Sequence, residues 1–252
     1  MSIKMILSAS ALTLAAVTSM FTQATNVNWG YFQHGDEEVI LPAQWGDFFP
    51  ACNGFEQSPI DIQNTTEENR GEFKFDYENT PLHVLNNGHT IEVEYEPGSS
   101  MTIDGDEYRL LQFHFHTPSE HLVNGNNFPM EMHLVHANTS GELAVVGVLI
   151  KDGKSNKIFE KIISNAPAQA GTNEVDDEEI NAANLLPGNT SEYFNYAGSL
   201  TTPPCNEGVR WFVMKKSIEF SESQIEYFEH IIHLNARPAQ EVNARTIYKN
   251  DD

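Results

Sequence analysis

In Leu110-Leu111-Gln112-Phe113-His114-Phe115-His116, polar and bulky apolar side chains alternate, and this pattern constrains the fold more than any other stretch of the chain. A β-strand sends successive side chains to opposite faces. Gln112, His114 and His116 therefore share one face, and Leu111, Phe113 and Phe115 the other. The same parity in Glu131-Met132-His133-Leu134-Val135-His136 groups Glu131, His133 and Val135 and turns His136 away. The connection between the two runs, residues 117–129, holds Pro118, Gly125 and Pro129 and is long enough for the strands to lie as antiparallel neighbours. Three neutral imidazoles on adjacent strands can hold Zn²⁺ with a fourth tetrahedral position left for water. That makes His114, His116 and His133 candidate metal ligands, with Co²⁺ or Fe²⁺ as chemically acceptable substitutes. Gln112 and Glu131, each two residues before a ligand and on its face, are placed to accept the second ring N–H and fix the tautomer. The alternative is that these histidines are hydrogen-bonded core residues in a polar patch.

The rest of the chain has the rhythm of a β-rich domain. Asn87-Gly88, Pro97-Gly98, Asp104-Gly105, Asn124-Gly125 and Asp152-Gly153 punctuate it. Between such turns, β-branched and aromatic residues predict strands over 73–77, 82–85, 89–96, 110–116, 130–136, 143–150 and 209–215. Two helices are predicted. Residues 155–164 place Ile158, Phe159, Ile162 and Ile163 on one side, and 222–234 do the same with Ile225, Phe228, Ile231 and Ile232. Ser221 and Gln224 have the spacing of a capping box. The acidic run from Glu174 to Glu179 reads as a solvated loop.

The chain has 252 residues, 40% of them hydrophobic, which suffices for one substantial core and a single domain. Its formal charge is −22. A surface this acidic repels phosphate backbones and anionic lipid, which excludes DNA, RNA and peripheral membrane binding. Residues 1–24 read as a signal peptide: Lys4, a small and apolar run from Met5 to Val17, and a small residue at Ala24 before the cleavage point. No other segment is apolar for the ~18 residues a membrane span needs. The mature domain is then 25–252, periplasmic or secreted. Cys52 and Cys205 are the only cysteines, so export favours one disulfide, with two buried free thiols as the alternative.

Beyond these local patterns, eight ordered blocks carry a resemblance. They are Trp29-Gly30-Tyr31, Gln57-Ser58-Pro59-Ile60-Asp61, Leu85-Asn86-Asn87-Gly88-His89, Gln112 to His116, Ser119-Glu120-His121, Glu131 to His136, Ser199-Leu200-Thr201-Thr202-Pro203-Pro204 and Asn235-Ala236-Arg237-Pro238-Ala239-Gln240. Together they resemble the α-class carbonic anhydrases of the exported bacterial type, over nearly the whole mature chain. The resemblance implies a mainly β (α+β) single domain, built on a ten-stranded, mostly antiparallel twisted sheet with a few short helices. It implies a conical pocket with Zn²⁺ at its floor, a Cys52–Cys205 disulfide and a homodimer.

The activity so implied is reversible hydration of CO₂ to bicarbonate and a proton by zinc hydroxide, with esterase activity as a secondary possibility. By the resemblance, Thr201 orients the hydroxide while donating its own proton to Glu120, and the Thr201 N–H helps to place substrate. Val135, Val145, Leu200, Val209 and Trp211 form an apolar wall for CO₂. Tyr31, Asn87, His89 and Thr202 hold ordered water, and Asn235 supports the ligands. His89 is the implied proton shuttle, an ordinary role for an imidazole near neutral pH. Glu92 stands where the animal enzymes usually carry a neutral side chain, and its charge is expected to favour protonated His89. Two other readings compete: a catalytically silent binding module of the same fold, and a zinc-storage protein.

Overall fold

The computed structural model describes residues 27–33, 35, 38–68, 71 and 73–251. The expected signal peptide, residues 1–24, lies outside the described residues. The strands are β1 (Asp61–Ile62), β2 (Thr66–Glu67), β3 (Lys74–Asp76), β4 (Thr80–Asn86), β5 (Ile91–Glu94), β6 (Ser100–Ile103) and β7 (Asp106–His116). They continue with β8 (Leu122–Val123), β9 (Met130–Ala137), β10 (Leu143–Asp152), β11 (Gly171–Ile180), β12 (Tyr193–Ser199), β13 (Glu207–Phe220) and β14 (Tyr248–Asn250). The α-helices are α1 (Trp45–Phe48), α2 (Lys157–Asn165) and α3 (Glu222–Ile232). Ten strands form a continuous hydrogen-bonded path in the order β11-β4-β5-β7-β9-β10-β13-β12-β14-β2, and β6, with β3 beside it, branches from β7. The sheet is mixed: β10 and β13 run parallel, as do β14 and β2, while the other pairs are antiparallel.

Alternation sorts the sheet's two faces. One packs the main core, in which Phe113 and Phe115 of β7 and Met130, Met132 and Leu134 of β9 meet Phe159, Ile162 and Ile163 of α2 and Phe228 and Ile232 of α3. Ile158, Ile225 and Ile231 are half-buried against it. The opposite face carries a smaller apolar cluster around Val135, Val145, Tyr196 and Trp211. Asn156 caps α2, its side chain accepting from the N–H groups of Ile158 and Phe159. At the start of α3 the Gln224 side chain accepts from the Ser221 N–H.

Four local expectations change. Leu111 does not share the core face of Phe113 and Phe115, because a bulge between Leu110 and Gln112 shifts the register by one residue and puts Leu110 there instead. The acidic run is no loop: it lies within β11, paired with β4 from Gly171↔Asn86 to Ile180↔Thr80. β11 ends the strand path, where charged side chains blunt an open sheet edge without preventing pairing. Helix α3 stops at Ile232 rather than 234, since His233 adopts a positive φ of 64°. Val209, expected on the pocket wall, is buried in the smaller apolar cluster. Among the described residues no helix is long and apolar enough to cross a membrane.

Candidate active site

The register of three strands assembles the site. His114 of β7 lies directly opposite His133 of β9, which in turn faces Gly147 of β10. One nitrogen from each of His114, His116 and His133 lies within 4.8 Å of the other two. Every imidazole has its remaining nitrogen engaged. His114 Nδ1–H donates to Gln112 Oε1 (2.8 Å), His116 Nδ1–H to the Asn235 carbonyl (2.9 Å) and His133 Nε2–H to Glu131 Oε1 (3.0 Å). Nε2 of His114 and His116 and Nδ1 of His133 are thereby left to converge. Buried His116 Nε2 has no hydrogen-bond partner, an orphan that a metal would satisfy. Burial lowers all three pKa values, that of His116 to about 4, and so favours the neutral imidazoles a metal needs. The donor set suits zinc.

Behind the ligands sits Glu131, fully buried yet held well below the usual carboxylate range by His121 and His133. Its Oε1 accepts from His121 and His133, and its Oε2 from the N–H groups of Glu120 (3.0 Å) and His121 (2.8 Å). His121 Nε2 and the Tyr196 hydroxyl share a further bond of 2.7 Å. His121, Glu131 and His133 also cluster closely enough for a metal, but these bonds already occupy both Glu131 oxygens and both His121 nitrogens. No sequence pattern assigns His121 a role; its one signal is its place in the Ser119-Glu120-His121 block.

A cavity of about 240 Å³ opens over the three histidines. Val135, Leu143, Val145, Leu200 and Trp211 line its apolar side, and Tyr31, Asn87, His89, Glu92 and Gln112 its polar side, with Thr201 and Thr202 between. Val209 packs behind the wall in the apolar cluster instead of lining it. Leu143, two residues from Val145 and so on its face, takes a wall position that parity alone could have found. Trp29, also in the lining, stacks on His89 with centroids 3.8 Å apart. That burial lowers the His89 pKa. Glu92 does not produce the expected rise, for burial pushes its own carboxyl up to about 7 and weakens the charge that would act on His89.

Glu120 is buried beside the histidines, its Oε2 3.9 Å from His133 Nδ1, and its carboxyl is raised to about 7 by burial and lowered in part by His133, the Arg237 N–H and the Thr201 side chain. Oε1 accepts from the Arg237 N–H at 2.8 Å. Oε2 faces no hydrogen-bond partner at ordinary geometry. The Thr201 loop is tied down by a disulfide between Cys52 and Cys205, 153 residues apart, and by the Cys205 N–H, which donates to the Thr202 carbonyl.

The family profile of the eukaryotic-type carbonic anhydrases matches residues 41–251. The chain belongs to the α-carbonic anhydrase family. As an α-carbonic anhydrase it is 40% identical to a carbonic anhydrase of Nostoc, over 89% of this chain and 87% of that protein. It is 38% identical to one from Neisseria gonorrhoeae, over 94% and 95% of the two chains. Among solved structures, a hyperthermostable carbonic anhydrase from a hydrothermal vent chimney superposes with a TM-score of 0.83 at 45% identity, covering 89% of this chain and all of that one. The Thermovibrio ammonificans enzyme, solved with the inhibitor sulfanilamide, gives 0.82 at 40% identity, over 88% and 99%. The chain is thus an enzyme of CO₂ hydration.

Proposed function

We propose that the chain hydrates CO₂ with zinc held by His114, His116 and His133, and that His89 carries the released proton outward. The observation that carries this reading is the set of three buried imidazoles, each with one nitrogen fixed by an acceptor and the other turned to a common point. Zinc, when bound, supplies Lewis-acid activation of water near neutral pH. The protein does the rest. Gln112, Glu131 and the Asn235 carbonyl hold the rings in one tautomer and orientation. Val135, Val145, Leu200 and Trp211 give an apolar CO₂ molecule a dry wall. By the family resemblance the Thr201 hydroxyl turns its proton toward the unpartnered Glu120 Oε2; in that role it would act toward the nucleophile only as an acceptor and aim the nucleophile's lone pair at carbon. By the same resemblance the Thr201 N–H would stabilise charge developing on a substrate oxygen. His89, in the lining of the same cavity, accepts the proton for release to buffer.

The same site should hydrolyse activated esters slowly. Residues 1–24 are read as an export signal, consistent with a disulfide formed outside a reducing compartment, and the mature protein as a homodimer. The site assignment is tested with His133→Ala. Expected are loss of bound zinc and a hydration rate at the uncatalysed level in an otherwise folded protein; a variant with wild-type rate rejects the ligand set.

A further inference from the structure

Arg237 is 3% exposed, yet its guanidinium finds only neutral oxygens. Nη1 donates to Gln57 Oε1 (2.9 Å) and the Ser58 carbonyl (2.8 Å), Nη2 to the Cys52 carbonyl (3.3 Å), and Nε has no partner. The Trp45 ring lies 5.7 Å from the guanidinium carbon. Burying a cation with no carboxylate in its hydrogen-bond shell is costly, so its placement calls for a reason. The main chain supplies one. Arg237 N–H donates to Glu120 Oε1, and Pro238 next in the chain restricts Arg237 to extended backbone, which fixes the direction of that N–H.

The side chain reaches the other half of the machinery. Gln57, which accepts from Arg237, donates through Nε2 to the Cys205 carbonyl (3.2 Å) and to Glu207 Oε1 (3.1 Å). Cys52, whose carbonyl also accepts from Arg237, is bonded to Cys205, and the Cys205 N–H holds the Thr202 carbonyl. One residue thus grips Glu120 with its backbone and, through Gln57 and Cys52, reaches the far end of the Thr201 loop with its side chain. We propose that Arg237 is a positioning residue for the reaction, the brace that sets the distance between Glu120 and Thr201. This rests on the hydratase reading above. It also gives the disulfide a second task, anchoring one arm of the brace.

The test measures zinc-loaded wild type, Arg237→Lys, Arg237→Met, Gln57→Leu, Glu120→Gln and the Arg237→Lys/Glu120→Gln double variant. Lys keeps the charge but not the planar fork. Misplacement by about 1 Å can cost about a hundredfold, so Arg237→Lys should lower kcat for CO₂ about tenfold or more at unchanged zinc content, with KM much less affected. In the Glu120→Gln background the same change should cost less than about twofold, because the interaction it positions is already lost. The variant's crystal structure should show the Glu120 carboxylate displaced relative to Thr201. Unchanged kcat, or a loss that adds fully to that of Glu120→Gln, overturns the proposal and leaves Arg237 a stabilising residue only. If the Arg237 variants do not fold, Gln57→Leu, which removes one acceptor, is combined with Glu120→Gln and decides by the same criterion. A zinc-loaded wild type without activity overturns the hydratase reading and the brace with it; a fast wild type with additive variants overturns the brace alone.

Discussion

His89 and His136 show how burial turns one residue type to different ends. His89 stacks on Trp29 at the cavity lining, and burial lowers its pKa, which favours the neutral imidazole that the proposed shuttle role requires. Its replacement in His89→Ala should slow hydration severalfold or more in weak buffer, with imidazole restoring the rate; a rate indifferent to buffer would remove His89 from the proton path. His136 lies on the core face, where its Nε2 and the Tyr77 hydroxyl share a 2.7 Å bond and burial drops its pKa to about 3. The unfolded chain, with an ordinary His near ~6.5, binds a proton that the folded one refuses. Stability contributed by this site is therefore complete above about pH 6.5 and falls as pH drops toward about 3, by at most ~1.4 kcal/mol per pH unit. Urea unfolding at several pH values should show a shallower acid-side decline in His136→Phe; an identical slope would contradict the assignment. The opposite facing of His133 and His136 was legible from parity alone. Leu111 was not, because a bulge is a backbone event that hydrophobic alternation does not record.

At the scale of elements, two glycines let the sheet come close enough to build the site. Gly147 faces His133, and a Cβ there would meet Glu131 Oε1 at 2.9 Å. Gly198 in β12 is tighter, with a Cβ 2.2 Å from Ser58 Oγ and 2.8 Å from the Trp211 ring. Gly198→Ala should destabilise the fold by about 3 kcal/mol, an overpacking cost, read from the denaturation midpoint; a loss within experimental error would mean the strand can shift aside freely. Strands with strong alternation, β7 and β9 above all, were plain in the sequence, as were the apolar faces of α2 and α3. β11 was hidden because its pairing comes from backbone groups at an edge, which charged side chains tolerate. The roles of His121 and Arg237 were hidden for a related reason: both act through hydrogen bonds between segments far apart in sequence.

Across the whole molecule, the formal charge of −22 and the buried site answer to different demands. The acidic surface keeps the protein soluble, while the interior retains a charged Glu131 only because four donors surround it. The Cys52–Cys205 bond closes most of the chain into one loop, for which the chain-entropy model gives about 5 kcal/mol. Family membership gives CO₂ hydration, and the three convergent imidazoles support the proposal that zinc serves it. The most direct test is the initial rate of CO₂ hydration by the purified mature protein, with zinc quantified on the same sample before and after chelator stripping. A fast rate that scales with about one zinc per chain, is lost on stripping and returns with zinc is expected from a single three-histidine site. Full zinc occupancy with no rate above buffer would contradict it and make the chain a binding module of the same fold.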